Sequence, residues 1–378
     1  MPEYLVLLAP SSNRVYAGDA PAITAAEAEI VVSAAAPGGF SGAAPTSLAG
    51  VPYLAVEIAD GVDPRLLGGL AATFAVFERE GGLLRPVEAP DRERFDDDLL
   101  TIPKYPGKTN EQLTRVLLNI TVATAELPER SRLTVLDPLA GRGTTLSWAL
   151  TLGYDAIGVE VEGREVEAYS AFLTTWLRRK RVKHRIGLNP LRRNGVRVAD
   201  LMKAIVGRDD PQTVELFAAD TLATADLLQR RRVDVVVTDA PYGVAHGARG
   251  ARGGRDRSPA ELLEAALPVW VSVLRPGGAV GIAWNTHGIS RDDLAALCAG
   301  VGLEVCDDGP YRGFAHRVDA GIHRDLLVAR RPSQPAAAKT TTGRASGPDS
   351  SSIATSDPSG ARAATTGSPS RAAGMRRP

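Results

Sequence analysis

Two short segments of this chain combine residue types that can do chemistry with positions where a fold can use them. The first is Val135-Leu136-Asp137-Pro138-Leu139-Ala140-Gly141-Arg142-Gly143-Thr144-Thr145, an acid closing an apolar run and then a glycine-rich turn. Gly141 and Gly143 let the backbone approach a ligand, and a helix opening at Thr144 offers free N–H groups to a carboxylate or phosphate. Nicotinamide-dinucleotide enzymes use the same shape. Two features argue against that use: Leu146 stands where their third glycine would be, and a negative Asp137 gains little beside a pyrophosphate. Glu160, at the end of the next predicted strand, suits a ribose diol, and Asp220, ending a third, suits an adenine amino group. Three strand-end carboxylates around one crevice fit a ligand carrying an ammonium, a diol and an exocyclic amine. The competing assignment is three solvated turn acids.

The second segment, Thr238-Asp239-Ala240-Pro241-Tyr242-Gly243, follows the very apolar run VDVVV, which sets Asp239 at the carboxyl end of a strand. An exocyclic amine on a heteroaromatic ring is a poor nucleophile because its lone pair is delocalised. Acceptors that bond both of its N–H groups favour the tetrahedral nitrogen of the transition state. Asp239 and the carbonyl of Ala240 can supply those acceptors. Pro241 fixes its own φ and restricts Ala240, and Tyr242 offers a flat face for an extruded base to stack on. The chemistry requires no metal.

The elements that must position these segments alternate. From Leu133 onward come TVLDP, a helix from Thr144, AIGVEV, a helix from Arg164, VELFAAD, VDVVVTD, a helix from Ser258, AVGIAW, a helix after Ser290, and a closing pair, LEVCDD and RDLLVAR. Such alternation predicts a mostly parallel sheet covered on both faces. Ahead of it, Tyr4–Ala9 reads as a strand, Thr24–Ala35 as a helix, Val51–Ala59 as a strand, Pro64–Arg79 as a helix and Leu83–Val87 as a strand, a small α/β unit. Thr109-Asn110-Glu111-Gln112 has capping-box spacing ahead of a helix. The organisation expected is residues 1–90 as a small N-terminal domain, 91–108 as a linker, 109–332 as the main domain and 333–378 as a disordered tail. That tail is rich in Ala, Ser, Thr, Pro and Gly and nearly lacks large apolar residues.

At these residues the chain resembles the S-adenosylmethionine-dependent amino-methyltransferases, and within them the tRNA guanine-N2 methyltransferases of THUMP type. The resemblance spans roughly 100–330 and is carried by KYPGKTNEQLTRVLLN, DPLAGRGTT, GVEVE, AAD, TDAPYG, LRPGG and FAHRVDAGIHRDLLVARR. It implies a Rossmann-like α/β fold with a mostly parallel seven-stranded sheet, plus a small ferredoxin-like N-terminal domain. It also implies that Asp137, Leu139, Ala140, Gly141, Gly143, Thr144, Thr145, Glu160, Asp220 and Thr221 bind S-adenosylmethionine, with Lys108 and Thr109 near its methionyl end. Asp239, Ala240, Pro241 and Tyr242 would hold the target amine, that of guanosine 10 in tRNA being the one the likeness suggests. The family's D-P-P-Y is D-A-P-Y here, and residues 1–90 are enough for the ferredoxin-like part but short for an added THUMP domain.

The partner expected is tRNA or another structured RNA. Formal net charge is zero, yet Arg178 to Arg208 holds eleven Lys or Arg and one Asp. Arg178, Arg179, Arg181 and Lys183 read as a basic helix end able to contact phosphates, followed by Arg192, Arg193 and Arg197 in a Gly-Pro-broken loop; a solvated helix terminus is the plainer assignment. Arg249 and Arg252 lie in a glycine-rich loop after the second segment, placed to clamp substrate. DNA ranks behind RNA because no long stretch reads as a target-recognition domain, and an adenine-N6 or cytosine-N4 methyltransferase is the second reading. An rRNA guanine-N2 methyltransferase and a non-catalytic RNA-binding protein follow. Two cysteines in no ligand spacing, a start without a basic leader and no long apolar run point to a cytoplasmic chain off the membrane, expected as a monomer.

Overall fold

The computed structural model describes residues 2–10, 14–89, 92–105, 108–128, 132–228, 230, 232–241, 258–319 and 321–333. The N-terminal part comprises β1 (Glu3–Leu8), α1 (Arg14–Ala35), β2 (Phe40–Leu48), β3 (Val51–Ile58), a 3-10 turn at Pro64–Gly69, β4 (Thr73–Glu80) and β5 (Leu83–Val87). They form an antiparallel sheet in the order β2-β3-β1-β4-β5. Antiparallel β3 lies between β1 and β2, which α1 connects; that is the split βαβ arrangement of ferredoxin-like units.

Two elements here differ in kind from expectation, and α1 begins at Arg14 instead of the expected Thr24. Pro64–Arg79 is not one helix. Asp63 accepts from the Arg65 amide at 3.0 Å and Pro64 opens a helical start, but Gly68 and Gly69 end it after six residues of 3-10 helix. The aromatic and β-branched run Thr73-Phe74-Ala75-Val76-Phe77 then pairs with β1 as a strand. Strand β2 was not expected at all, because Gly42 and Pro45 weaken its signal; at the sheet edge both are tolerated.

The large sheet takes its strands from the rest of the chain, which begins with α2 (Asp98–Thr101) and α3 (Glu111–Thr124). There follow β6 (Thr134–Asp137), α4 (Thr144–Thr151), β7 (Asp155–Glu160), α5 (Gly163–Arg179), β8 (His184–Arg193), β9 (Val196–Val206) and β10 (Gln212–Ala218). After a 3-10 turn at Thr221–Ala223 come α6 (Thr224–Leu227), β11 (Val233–Asp239), α7 (Pro259–Val273), β12 (Leu274–Asn285), α8 (Arg291–Gly300), β13 (Glu304–Cys306), β14 (His316–Arg317) and β15 (His323–Arg330). Their order is β13-β15-β12-β11-β6-β7-β10-β9-β8, with β14 on β15.

Strands β12, β11, β6, β7 and β10 run parallel, and β15 and β13 complete seven in the Rossmann-like pattern. The sheet is nevertheless mixed, because β15 runs antiparallel to β12 and β13, and the β8–β9 hairpin and β14 add further antiparallel pairings. The parallel strands are apolar on both faces. Val135, Val235 and Val237 join the core under α3, α4 and α5, while their neighbours Leu136 and Val236 join the core under α7 and α8. A third core, with Val6, Leu54, Val56 and Ile58, lies under the N-terminal sheet.

The basic segment is also a correction. Helix α5 stops at Arg179, so Arg181 and Lys183 do not extend it, and Arg192, Arg193 and Arg197 belong to the hairpin instead of a loop. Asn194 and Gly195, with φ of 50° and 78°, make its tight turn. That dipeptide is a strong hairpin signal, masked by the surrounding arginines.

Candidate active site

Strand order reverses between β6 and β11, the place where open parallel sheets leave a crevice beyond their carboxyl ends. The last residues of these two strands are Asp137 and Asp239. Both line one crevice of about 550 Å³, which brings the two chemically suggestive segments together. Leu139, Ala140, Gly141, Thr144 and Thr145 line it from the glycine turn, Ala240 and Pro241 from the other turn, and Lys108 and Thr109 from the segment before α3.

The glycine turn owes its shape to local sequence. Gly141 and Gly143 have φ of 50° and 73°, a region costly for residues with a Cβ. A Cβ at Gly141 would meet open space, whereas at Gly143 it would stand 2.7 Å from the Tyr169 ring. Gly141 therefore faces the crevice and Gly143 packs on the helix behind. The turn leads straight into α4, whose first amides lack helical partners. Glu160 braces it, accepting from the Gly141 amide and the Glu162 amide at 2.8 Å each.

Asp137 is buried and accepts from the Leu139 amide at 3.1 Å and the Thr238 hydroxyl at 2.9 Å. Burial outweighs these bonds and pushes its carboxyl up to about 6, with the nearby Asp239 charge adding to the rise. Asp239 is likewise raised by burial, opposed by the Arg324 guanidinium and by a hydrogen bond from Thr109. The Ala240 amide donates to Ala283 O at 2.8 Å, tying the Asp239 turn to β12.

Among the described residues the crevice lining does not include Gly143, Glu160, Asp220 or Thr221. Asp220 is exposed and caps the 3-10 turn, accepting from the Leu222 amide at 2.9 Å. Thr221 is buried, and its hydroxyl accepts from the Trp270 indole at 2.9 Å, a core contact. Lys108 reaches the lining, but its ammonium is engaged with Leu100 O, Pro103 O and Glu111. Thr109 does not cap α3. Asn110 does, accepting from the Gln112 and Leu113 amides, which leaves the Thr109 hydroxyl to donate to Asp239. Tyr242, Arg249 and Arg252 lie outside the described residues.

Arg178, Arg179, Arg181 and Lys183 are exposed, and three of them, Arg178, Arg181 and Lys183, border a shallow hollow with His184 and Arg208. Side chains that sequence reasoning left unassigned complete the crevice: Tyr105, Arg142, Asp319 and Arg324. The Tyr105 hydroxyl lies 3.0 Å from that of Thr144, and the Arg142 guanidinium stacks 4.9 Å from its ring centroid. Tyr105 and Arg324 fall inside the segments KYPGKTN and IHRDLL, whose likeness to the family was the available signal.

No family model matches the chain, and no curated protein matches its sequence. Among solved structures it is similar to TrmN from Thermus thermophilus, at 14% identity and a TM-score of 0.40 over 88% of this chain and 100% of that one. It is also similar to the rRNA methyltransferase aviRa from Streptomyces viridochromogenes, at 18% identity and a TM-score of 0.36 over 63% of this chain and 94% of that one. A Burkholderia thailandensis 1,6-didemethyltoxoflavin-N1-methyltransferase matches at 18% identity and a TM-score of 0.31, over 53% of this chain and 72% of that one. No described helix is long and apolar enough to cross a membrane.

Proposed function

We propose that the protein is an S-adenosylmethionine-dependent methyltransferase acting on the exocyclic N2 amine of a guanosine in tRNA. The observation that carries this reading is the convergence of the Asp137 glycine turn and the Asp239 turn on one crevice at the strand-order reversal. Its size, about 550 Å³, is that of a small-molecule site. Gly141 opens onto space that a Cβ would enter freely, so backbone and ligand can meet there. Asp137 would hold the methionyl ammonium and the first amides of α4 its carboxylate. Glu160 would take the ribose hydroxyls, since each carboxylate oxygen retains a lone pair after accepting its backbone amide. Asp220 and Thr221 would border the adenine, Asp220 by its exposed carboxylate. When bound, the sulfonium supplies an electrophilic methyl group.

The chain's own contribution is to hold the amine. Asp239 and the Ala240 carbonyl accept its two N–H bonds, which localises the nitrogen lone pair and orients it. Anchoring of the Ala240 amide to β12 and the fixed φ of Pro241 keep that carbonyl in place. Tyr242 would stack on the base, and the arginines of the α5 end, with Arg249 and Arg252, would meet phosphates. In this scheme residues 1–90 help grip RNA, 91–108 link, and 109–332 catalyse. The test offers the purified protein total tRNA and genomic DNA with labelled cofactor, followed by nucleoside analysis. N2-methylguanosine is expected; label in DNA alone would replace the proposal by adenine-N6 or cytosine-N4 methylation.

A further inference from the structure

We propose that Arg324 is a positioning residue for Asp239, holding its carboxylate oriented and ionised so that it can accept the target amine. The inference rests on the reading above and adds to it what sets the acid limit of the reaction. Asp239 ends β11 and pairs in register with Ala283 of β12; two residues further along β12, Asn285 pairs with Arg324 of β15. The arginine thus starts on the far side of β12 and reaches back across it. Its Nη2 lies 3.5 Å from Asp239 Oδ2, the same oxygen that accepts from the Thr109 hydroxyl. Two partners from different elements on one oxygen fix the rotation of the carboxylate.

Burial distinguishes Arg324 from a phosphate clamp. It is 5% exposed, unlike the surface arginines at the end of α5, and a guanidinium so desolvated is stable only beside an anion. The other charged groups facing the crevice are Asp137 from β6, Lys108 ahead of α3, Arg142 from the glycine turn and Asp319 before β15. Tyr105 is the remaining titratable group there, while His316 and Arg317 of β14 and Tyr16 of α1 line a small hollow with Arg324. Lys108 is engaged with Glu111 and two carbonyls, and Arg142 with Glu165 and the Tyr105 ring. Among the described residues, Arg324 is the cation that pairs with Asp239. Without it the buried carboxyl takes up a proton at higher pH, and a protonated carboxyl donates where it must accept.

The experiment compares wild type, Arg324→Lys and Arg324→Met in methyl transfer to unmodified tRNA transcripts across the acid limb of the pH profile. Arg324→Met is expected to lower kcat about 10- to 100-fold near neutrality and to move the acid limb up by about one pH unit, with Arg324→Lys between. Affinity for S-adenosylhomocysteine should stay within about twofold of wild type. An equal loss at every pH, or a loss confined to KM, would overturn the proposal. A second readout needs neither turnover nor the methionine variant: carboxyl-carbon NMR titration of Asp239 in wild type and Arg324→Lys, assigned with Asp239→Asn. A higher midpoint in the lysine variant supports the pairing, and an unmoved midpoint refutes it. If wild type labels no nucleic acid, the functional reading fails while this titration still decides the role of Arg324.

Discussion

The parallel centre of the large sheet and the β8–β9 hairpin at its edge are built from opposite kinds of sequence. The centre is valine-rich and buried on both faces, so its strand ends are held by packing from two sides. Four acids sit at or just beyond those ends: Asp137, Glu160, Asp220 and Asp239. The hairpin is rich in arginine and exposed toward its turn, with Val196 at 66% and Val198 at 41% exposure, while Met202, Ala204 and Val206 at its base join the core. A buried scaffold can fix a carboxylate to within a fraction of an ångström, which chemistry requires. An exposed ribbon can present charge to a large, irregular polyanion, which needs reach more than precision.

Breaking the central half should give the largest effects. Asp239→Ala is expected to lower kcat about a hundred- to a thousandfold while cofactor affinity, read by calorimetry, stays near wild type. Gly143→Val asks a β-branched residue to adopt a φ of 73° and drives its Cβ into the Tyr169 ring. A loss of about 3 kcal/mol in denaturant unfolding is expected, with cofactor binding weakened in step.

Asp137 sharpens the comparison through pH. Its folded-state pKa is raised to about 6, so below the unfolded value the native state holds a proton that stabilises it. That stability is lost as pH rises through about 6. Binding of an ammonium-bearing cofactor, which needs the ionised form, should strengthen over the same interval. Asp137→Asn should therefore raise Tm at neutral pH, weaken binding of S-adenosylhomocysteine and flatten the pH dependence of both. The basic end of α5, which borders the start of the hairpin, should respond least. Replacing Arg178 and Arg181 by alanine should leave cofactor affinity unchanged and reduce the salt slope of tRNA binding by about one per arginine, measured by filter binding at several ionic strengths. An unchanged slope would remove this surface from RNA binding.

The same contrast governs what could be read from the sequence. Asp137, Gly141 and Asp239 were legible because apolar strands, glycine and an acid follow one another within a few residues, and local order dictates their placement. The β8–β9 hairpin was not, since a run of cations after an amphipathic helix reads as a continuation of that helix. Long-range partners were least legible. Arg324 meets Asp239 only because β15 returns antiparallel beside β12, and Thr109 does so only because Asn110 takes over the capping of α3. No spacing announces either.

Helix α1 has one side in each of two interiors: Ala28 and Val32 belong with the N-terminal sheet, while Ala20, Ile23 and Ile30 share a core with α3 and β11. Glu27, fully buried, accepts from the Ala71 amide at 3.0 Å and from Asn119 of α3 at 2.7 Å. A fragment starting after β5 would strip α3 of that cover, baring an oily flank and leaving the Asn119 amide without its carboxylate. Such a fragment is expected to come out of expression insoluble, so excising the large sheet for reuse on another scaffold would require bringing α1 along.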